Sequence, residues 1–166
     1  MTETPERPAP DPDGQRIFLV VVDDTDEWVA ALHFACRRAL HTGGRVALLH
    51  VIEPVEFQHW MSVGEVMREE RRQEAEQLLQ RVAKQVNERT GTMPELHARE
   101  GTAQEQLLAL IDEQPSISVL VLGASTSSEG PGPLVQYVTT RGIGSLRIPI
   151  TIVPGNLSEE EIDKLA

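Results

Sequence analysis

Three runs of this chain are apolar on both parities, and few folds can house such segments. Arg16-Ile-Phe-Leu-Val-Val-Val-Asp23, Arg45-Val-Ala-Leu-Leu-His-Val51 and Ser118-Val-Leu-Val-Leu122 are rich in aliphatic and β-branched residues without polar alternation. A strand of that kind is buried on both faces, as in a parallel sheet covered by helices. Parallel neighbours need crossovers of a dozen or more residues, and helical patterns fill the intervals.

Asp26 is placed to cap a first helix. Its apolar positions Trp28, Leu32, Ala35, Cys36 and Ala39 follow the 3.6-residue period, and Gly43-Gly44 stops it. Pro54 ends the second strand. Residues 57–66, with Phe57, Trp60, Met61, Val63 and Val66 around Gly64, fit neither period cleanly. From Met67 a long charged helix is predicted, with Ala75, Leu78, Leu79, Val82 and Val86 on one stripe, closed by Thr90-Gly91. Glu95–Glu100 alternates and reads as an edge strand. Thr102-Ala-Gln-Glu105 is a capping box opening a helix that Pro115 terminates. Gly123 to Pro133 is a Ser, Gly and Pro loop, followed by a predicted helix from Leu134 to about Ile143. Ile148–Val153 is the last strand, where Pro149 demands an edge or a strand start. Ser158-Glu-Glu-Glu161 is a second capping box. Such alternation predicts right-handed crossovers and helices on both faces. Ligands then bind at the carboxyl ends of the strands where the winding reverses, here at Asp23 and Gly123.

Charge narrows the partners. Asp and Glu outnumber Lys and Arg by 26 to 15, a net −11, which argues against nucleic acid and anionic membrane surfaces. Glu3, Glu6, Asp11 and Asp13 crowd one end and Glu159, Glu160, Glu161 and Asp163 the other, so both ends read as solvated tails on a milder body. No apolar run approaches the roughly 18 residues of a membrane span. The sole cysteine, Cys36, excludes an intramolecular disulfide. Residues 1–14, with Pro5, Pro8, Pro10 and Pro12, have no apolar period and are expected to be a disordered leader without a signal-peptide core. The expected domain spans 15–155, a short acidic helix occupies 156–166, and the expected location is the cytoplasm.

Candidate chemistry is sparse. Asp23 and Asp24 could work as paired carboxylates, but consecutive strand residues face opposite ways; Asp23 is expected at the cleft edge and Asp24 or Asp26 at the helix cap. Cys36 follows His33 by three residues, yet it lies on the apolar stripe and reads as core. His33, His41, His50, His59 and His97 make no metal spacing, so no metal site is expected; His50 reads as structural with a hydrogen-bonded ring. Trp60, Met61, Val63, Val66 and Met67 read as packing over the sheet, with a protein-binding patch as the alternative. Ser125, Thr126, Ser127, Ser128, Gly130 and Gly132 read as a surface loop rather than a phosphate cradle, because Glu129 in their midst opposes an anion.

Val-Val-Val-Asp23, Leu-Leu-His-Val51 after a double glycine, Val-Leu-Val-Leu-Gly123 and Ile-Pro-Ile-Thr-Ile-Val153 together resemble the universal stress protein domain over roughly residues 16 to 154. The resemblance implies an α/β fold: a Rossmann-like, doubly wound five-stranded parallel sheet of order 3-2-1-4-5 in an α/β/α sandwich. It also implies dimerisation through the last strand, Ile150, Thr151, Ile152 and Val153. One branch of the family binds ATP with a glycine motif. Its frame falls here on Gly123, Thr126 and Gln136-Tyr137, so one of three glycines remains and the sequence looks more like the branch without the motif. The candidate nucleotide contacts are Val22, Asp23, Val46, Gly123, Thr126, Gln136 and Tyr137; Asp23 and Val46 match positions that contact the adenosine half in ATP-binding members. The expectation is a non-catalytic stress-response homodimer acting through contacts with an unidentified protein, with no cofactor. The alternative is an adenine-nucleotide switch that binds ATP or AMP with a degenerate phosphate loop. No pyrophosphate loop or catalytic triad spacing speaks for an enzyme.

Overall fold

A computed structural model describes residues 14–54 and 61–166, with the backbone alone at 61–63. The expected leader up to residue 13 and the cluster at 57–60, Trp60 and His59 included, lie outside the described residues.

Each both-face apolar run becomes a strand. β1 (Ile17–Val21), β2 (Arg45–Ile52), β3 (Glu95–Glu100), β4 (Ile117–Ala124) and β5 (Ile150–Pro154) form one sheet of order β3-β2-β1-β4-β5. All four pairings are parallel. Alternation within each strand divides the core in two. Phe18, Val20, Val22, Val46 and Leu48 pack on one face; Ile17, Leu19, Val21, Ala47 and Leu49 pack on the other. Helices α1 (Trp28–Thr42), α2 (Met61–Thr90) and the C-terminal α5 (Glu159–Leu165) cover the first face. Helices α3 (Ala103–Glu113) and α4 (Pro133–Thr139) cover the second. This is the doubly wound α/β/α sandwich the sequence implied.

The helix boundaries follow local chemistry. Gly43 adopts φ 68°, which ends α1, and a side chain at Gly44 would come within 2.5 Å of the Arg16 carbonyl. The Thr102 and Ser158 hydroxyls accept from the amides of Glu105 and Glu161, as the capping boxes require. Four expectations need correction. The residue before α1 is Glu27, which makes no side-chain cap bond, so Asp26 does not cap it. α2 begins at Met61, six residues before the predicted start, because its first turns have no apolar stripe to betray them. α4 stops at Thr139, and a single 3-10 turn at Ile143–Ser145 follows. Pro149 precedes β5 rather than sitting inside it.

The acidic C-terminal segment is not a solvated tail. Ile162 is 1% exposed and joins the core with Ala166, and Leu157 packs against it. A polar clamp holds α5 to α1 and α2. Arg89 donates to His33 Nδ1 at 2.9 Å, and His33 Nε2 donates to Asp163 at 2.7 Å. Because an arginine only donates, the neutral ring carries its proton on Nε2.

Candidate functional site

α2 is 30 residues long, about 45 Å at 1.5 Å per residue. The longest strands have eight residues, about 26 Å at ~3.3 Å each. The apolar contacts of α2 run from Ala75 to Val86, so its first turns overhang the carboxyl edge of the sheet. Under that overhang lies a cavity of about 680 Å³. Its floor is the end of β1 and β2, from Val21 to Asp23 and from His50 to Glu53. Arg71, Glu74 and Arg81 come from α2, and Ala103 and Leu134 close the side toward α3 and α4.

Hydrogen bonds set the floor. The Thr25 amide and hydroxyl both donate to Asp23 Oδ1, at 2.8 and 2.5 Å, a local turn that orients the carboxylate. Asp24 lines the cavity beside Asp23. The alternation expected to separate them does not apply, since β1 ends at Val21 and both aspartates belong to the connection. His50 Nδ1 donates to the Val22 carbonyl at 2.7 Å, which bridges β1 and β2 and leaves Nε2 as an acceptor in the neutral ring.

Val22 and Asp23 therefore lie on the cavity; Val46 does not. Val46 is the second residue of β2, paired with Phe18, and is 2% exposed in the core. It lies at the amino end of a strand whose ligand side is the other end. Val51 lines the cavity in its place. Arg71, Glu74 and Arg81 were hidden in a charged helix that reads as a solvated face. Cys36 is buried at 1% exposure, and burial pushes its thiol up to about 11 against the opposing pull of Arg89. Among the described residues no cluster of His, Cys, Asp and Glu could hold a metal, and no helix is long and apolar enough to cross a membrane.

A profile of the universal stress protein family matches residues 15–154. The chain belongs to that family. Universal stress protein UspA from Lactobacillus plantarum superposes with TM-score 0.68 at 18% identity, covering 84% of this chain and 97% of that one. A universal stress protein from Archaeoglobus fulgidus in complex with dAMP gives 0.58 at 19%, covering 83% and 96%. One from Arabidopsis thaliana with AMP bound gives 0.60 at 15%, covering 84% and 91%. A search of curated proteins gave no match. α5 lies beyond the matched residues.

Within the universal stress protein domain, the remaining nucleotide candidates lie around the β4–α4 connection, off the cavity walls. Gly123 sits in β4 opposite Val153, and a Cβ there would meet the Glu27 carbonyl at 2.1 Å. Its missing side chain makes room for the chain entering α1. Thr126 is exposed in the loop. Four amides of the loop are bonded within it. Ser125 donates to the Pro131 carbonyl, Ser127 to Ser125 Oγ, Glu129 to Ser127 Oγ and Gly130 to the Ser127 carbonyl. α4 opens with Pro133, which has no amide hydrogen. Gln136 is exposed on α4, and Tyr137 packs on the second core cluster and over Gly142.

Proposed function

We propose that this universal stress protein is a non-catalytic, cytoplasmic stress-response protein that works as a homodimer through protein contacts. The free edge of β5 carries the reading. Leu120 donates to the Pro149 carbonyl and Gly155 to the Ala124 carbonyl. Alternation along a parallel ladder then turns Thr151 and Val153 toward β4 and leaves the main-chain groups of Ile150 and Ile152 facing away. A second copy related by a two-fold axis through Thr151 would set Ile150 of one protomer opposite Ile152 of the other. Every outward donor would then meet an acceptor. Ile152 is 40% exposed, which gives the seam an apolar flank. The buried thiol of Cys36, raised by its burial, is not placed to act as a nucleophile. Light scattering at micromolar protein tests the reading: wild type at twice the chain mass, Ile152→Lys at the chain mass. A wild-type monomer, or a dimeric lysine variant, removes β5 from the interface.

A second reading is supported by the cavity at Asp23 and by neighbours described with AMP and dAMP. In it the cavity is a small-molecule site for the adenosine portion of a nucleotide. A thermal shift on adding millimolar ATP, AMP or adenosine tests it, and no shift with any of the three ends it.

A further inference from the structure

α5 lies outside the matched domain, and it covers a surface with a chemistry of its own. His33, Arg37 and His41 recur every four residues along α1, which puts them on one stripe of the helix. Arg89 at the end of α2 joins them through its bond to His33. We infer that this stripe, with the apolar seat of Ile162 beside it, is a docking site for an acidic amphipathic helix of a partner protein, and that α5 is its resident competitor. The inference rests on the protein contacts of the proposed function, but it uses a surface built by α1 and α2 rather than by β5.

The way α5 sits defines what the site takes. Glu159, Ile162, Asp163 and Ala166 face the domain, the i, i+3, i+4, i+7 pattern of a helix lying in a groove. Glu159 lies 3.2 Å from Arg89 and Asp163 2.7 Å from His33. The main-chain oxygen of Ala166 accepts from His41 at 2.5 Å, and Ile162 is buried. Arg37 and Arg89 supply positive charge, and the two imidazoles supply hydrogen-bond donors. In a chain of net charge −11, such a stripe attracts an acidic segment that the molecule as a whole repels.

The same contacts show that α5 can be displaced. It has seven residues, well below the roughly 12 at which an isolated helix becomes even marginal. Ile162 is the only residue within it that is buried. The side chains of Asp163 and Glu159 are 46% and 68% exposed, so their ion pairs add little. The fit is also incomplete. Arg37 Nε is buried and finds no hydrogen-bond partner among the described residues; Asp163 Oδ1 lies 3.3 Å away but already accepts from His33. A segment held this way opens at lower cost than the core. What favours α5 is attachment: a short tether gives it an effective concentration on the order of millimolar, and that is the threshold a partner helix must exceed.

The test compares the full chain with the double variant Glu159→Lys, Asp163→Lys, which reverses two exposed charges and leaves Ile162 in place. The probe is a synthetic peptide of residues 157–166, titrated to millimolar concentration while the backbone amide resonances of α1 and α2 are followed by NMR. In the double variant the peptide is expected to move the amides of His33, Arg37, His41 and Arg89 saturably, toward their wild-type positions. Wild type, whose site α5 already fills, is expected to bind the peptide at least tenfold more weakly. A peptide carrying the same two lysines is expected to leave the double variant unmoved. Adding Arg37→Glu and Arg89→Glu to the double variant is expected to bring α5 back and to abolish binding of the acidic peptide. Equal affinity in wild type and double variant overturns the inference, because α5 then does not occupy the site. No shift in the double variant, or equal binding of the lysine peptide, overturns it as well. Light scattering on the same samples separates the two proposals. Dimers throughout with no peptide binding overturn the docking site alone, and monomers throughout with selective peptide binding overturn the β5 dimer alone.

Discussion

The two edges of the sheet are chemically opposite. β3 reads Glu-Leu-His-Ala-Arg-Glu, and its charges are fastened on both faces. Arg99 pairs with Glu113 of α3, and Glu100 accepts from Arg68 at 2.7 Å with Arg72 at 3.6 Å. Arg45 and His97 stand near Glu95. β5 reads Ile-Thr-Ile-Val-Pro and carries no charge. Both strands present unpaired main-chain groups, since Gly101 donates to the Ile52 carbonyl and the ladder then turns Leu96, Ala98 and Glu100 outward. Only β5 can lose water from its flanks without stripping a charge. Hydrogen-bonding capacity alone does not make an interface; the cost of drying the surrounding side chains favours β5 over β3 as the edge that would pair in the proposed dimer.

The sharpest way to break the contrast uses adjacent prolines. Ile152→Pro removes a donor that faces away from β4. The expected result is a monomer by light scattering, with dimer affinity down at least a hundredfold and the monomer fold retained by circular dichroism. Thr151→Pro removes a donor that faces β4 and strands the Leu120 carbonyl. It should destabilise the monomer itself by roughly 1–3 kcal/mol, the usual cost of a buried unsatisfied group. If both variants unfold alike, the outward assignment of Ile152 is wrong.

Next comes the reverse experiment. Glu95→Val with Arg99→Val strips the charge from one face of β3 and should convert a protected edge into a sticky one. Species heavier than the dimer are expected by light scattering at concentrations where wild type shows none. An unchanged mass would mean that the charges do not guard the edge.

A smaller effect is expected where β5 is aimed. Arg147 donates to the carbonyls of Ile111, Gln114 and Ile117, so one guanidinium ties the end of α3 to the start of β4 just before β5 begins. Arg147→Ala should cost about 1–3 kcal/mol, in the range of charged hydrogen bonds, and lower the melting temperature by several degrees. Dimer affinity should fall less than in Ile152→Pro, because the strand keeps its sequence.

How far the sequence carried these conclusions differs along the chain. The central strands were legible because burial on both faces leaves no room for polar alternation, and β3 because one-sided alternation marks an edge. The capping boxes were legible because two residues suffice to define them. The site was legible only where it lay on a strand end: Val22 and Asp23 reach the cavity because β1 runs out there. Val46 was misplaced because the apolar character of β2 is uniform along its length and says nothing about which end meets ligand. The nearby Glu53-Pro54 terminus was the usable signal for Val51. Arg71, Glu74 and Arg81 were illegible, since a charged helix looks the same over solvent as over a cleft. The docking of α5 was hidden too. Its acidic composition masks Ile162, and its partners His33 and Arg89 lie 130 and 70 residues away in the chain from Asp163 and Glu159.

The mildest test asks whether the β3 charges act as a clamp. Arg68 holds the Glu100 carboxyl below its usual 4.5, and Arg99 does the same to Glu113, in each case chiefly through a hydrogen bond. A lowered folded-state pKa means that the stabilisation is complete above the unfolded value and is lost as pH falls through the folded one. The β3 ion pairs should therefore hold at pH 6 and loosen progressively below about 4.5. β5 has no ionisable side chain and should not respond over the same interval. Hydrogen exchange resolved by strand, corrected for the intrinsic pH dependence, should show β3 amides losing protection from pH 5 to pH 3 ahead of the β5 amides that face β4. Glu113 is exposed and Glu100 half-buried at the surface, so the effect should be small and should shrink further in high salt. Equal loss at both edges would place the acid response in the whole domain and would separate the charges of β3 from the protection of its edge.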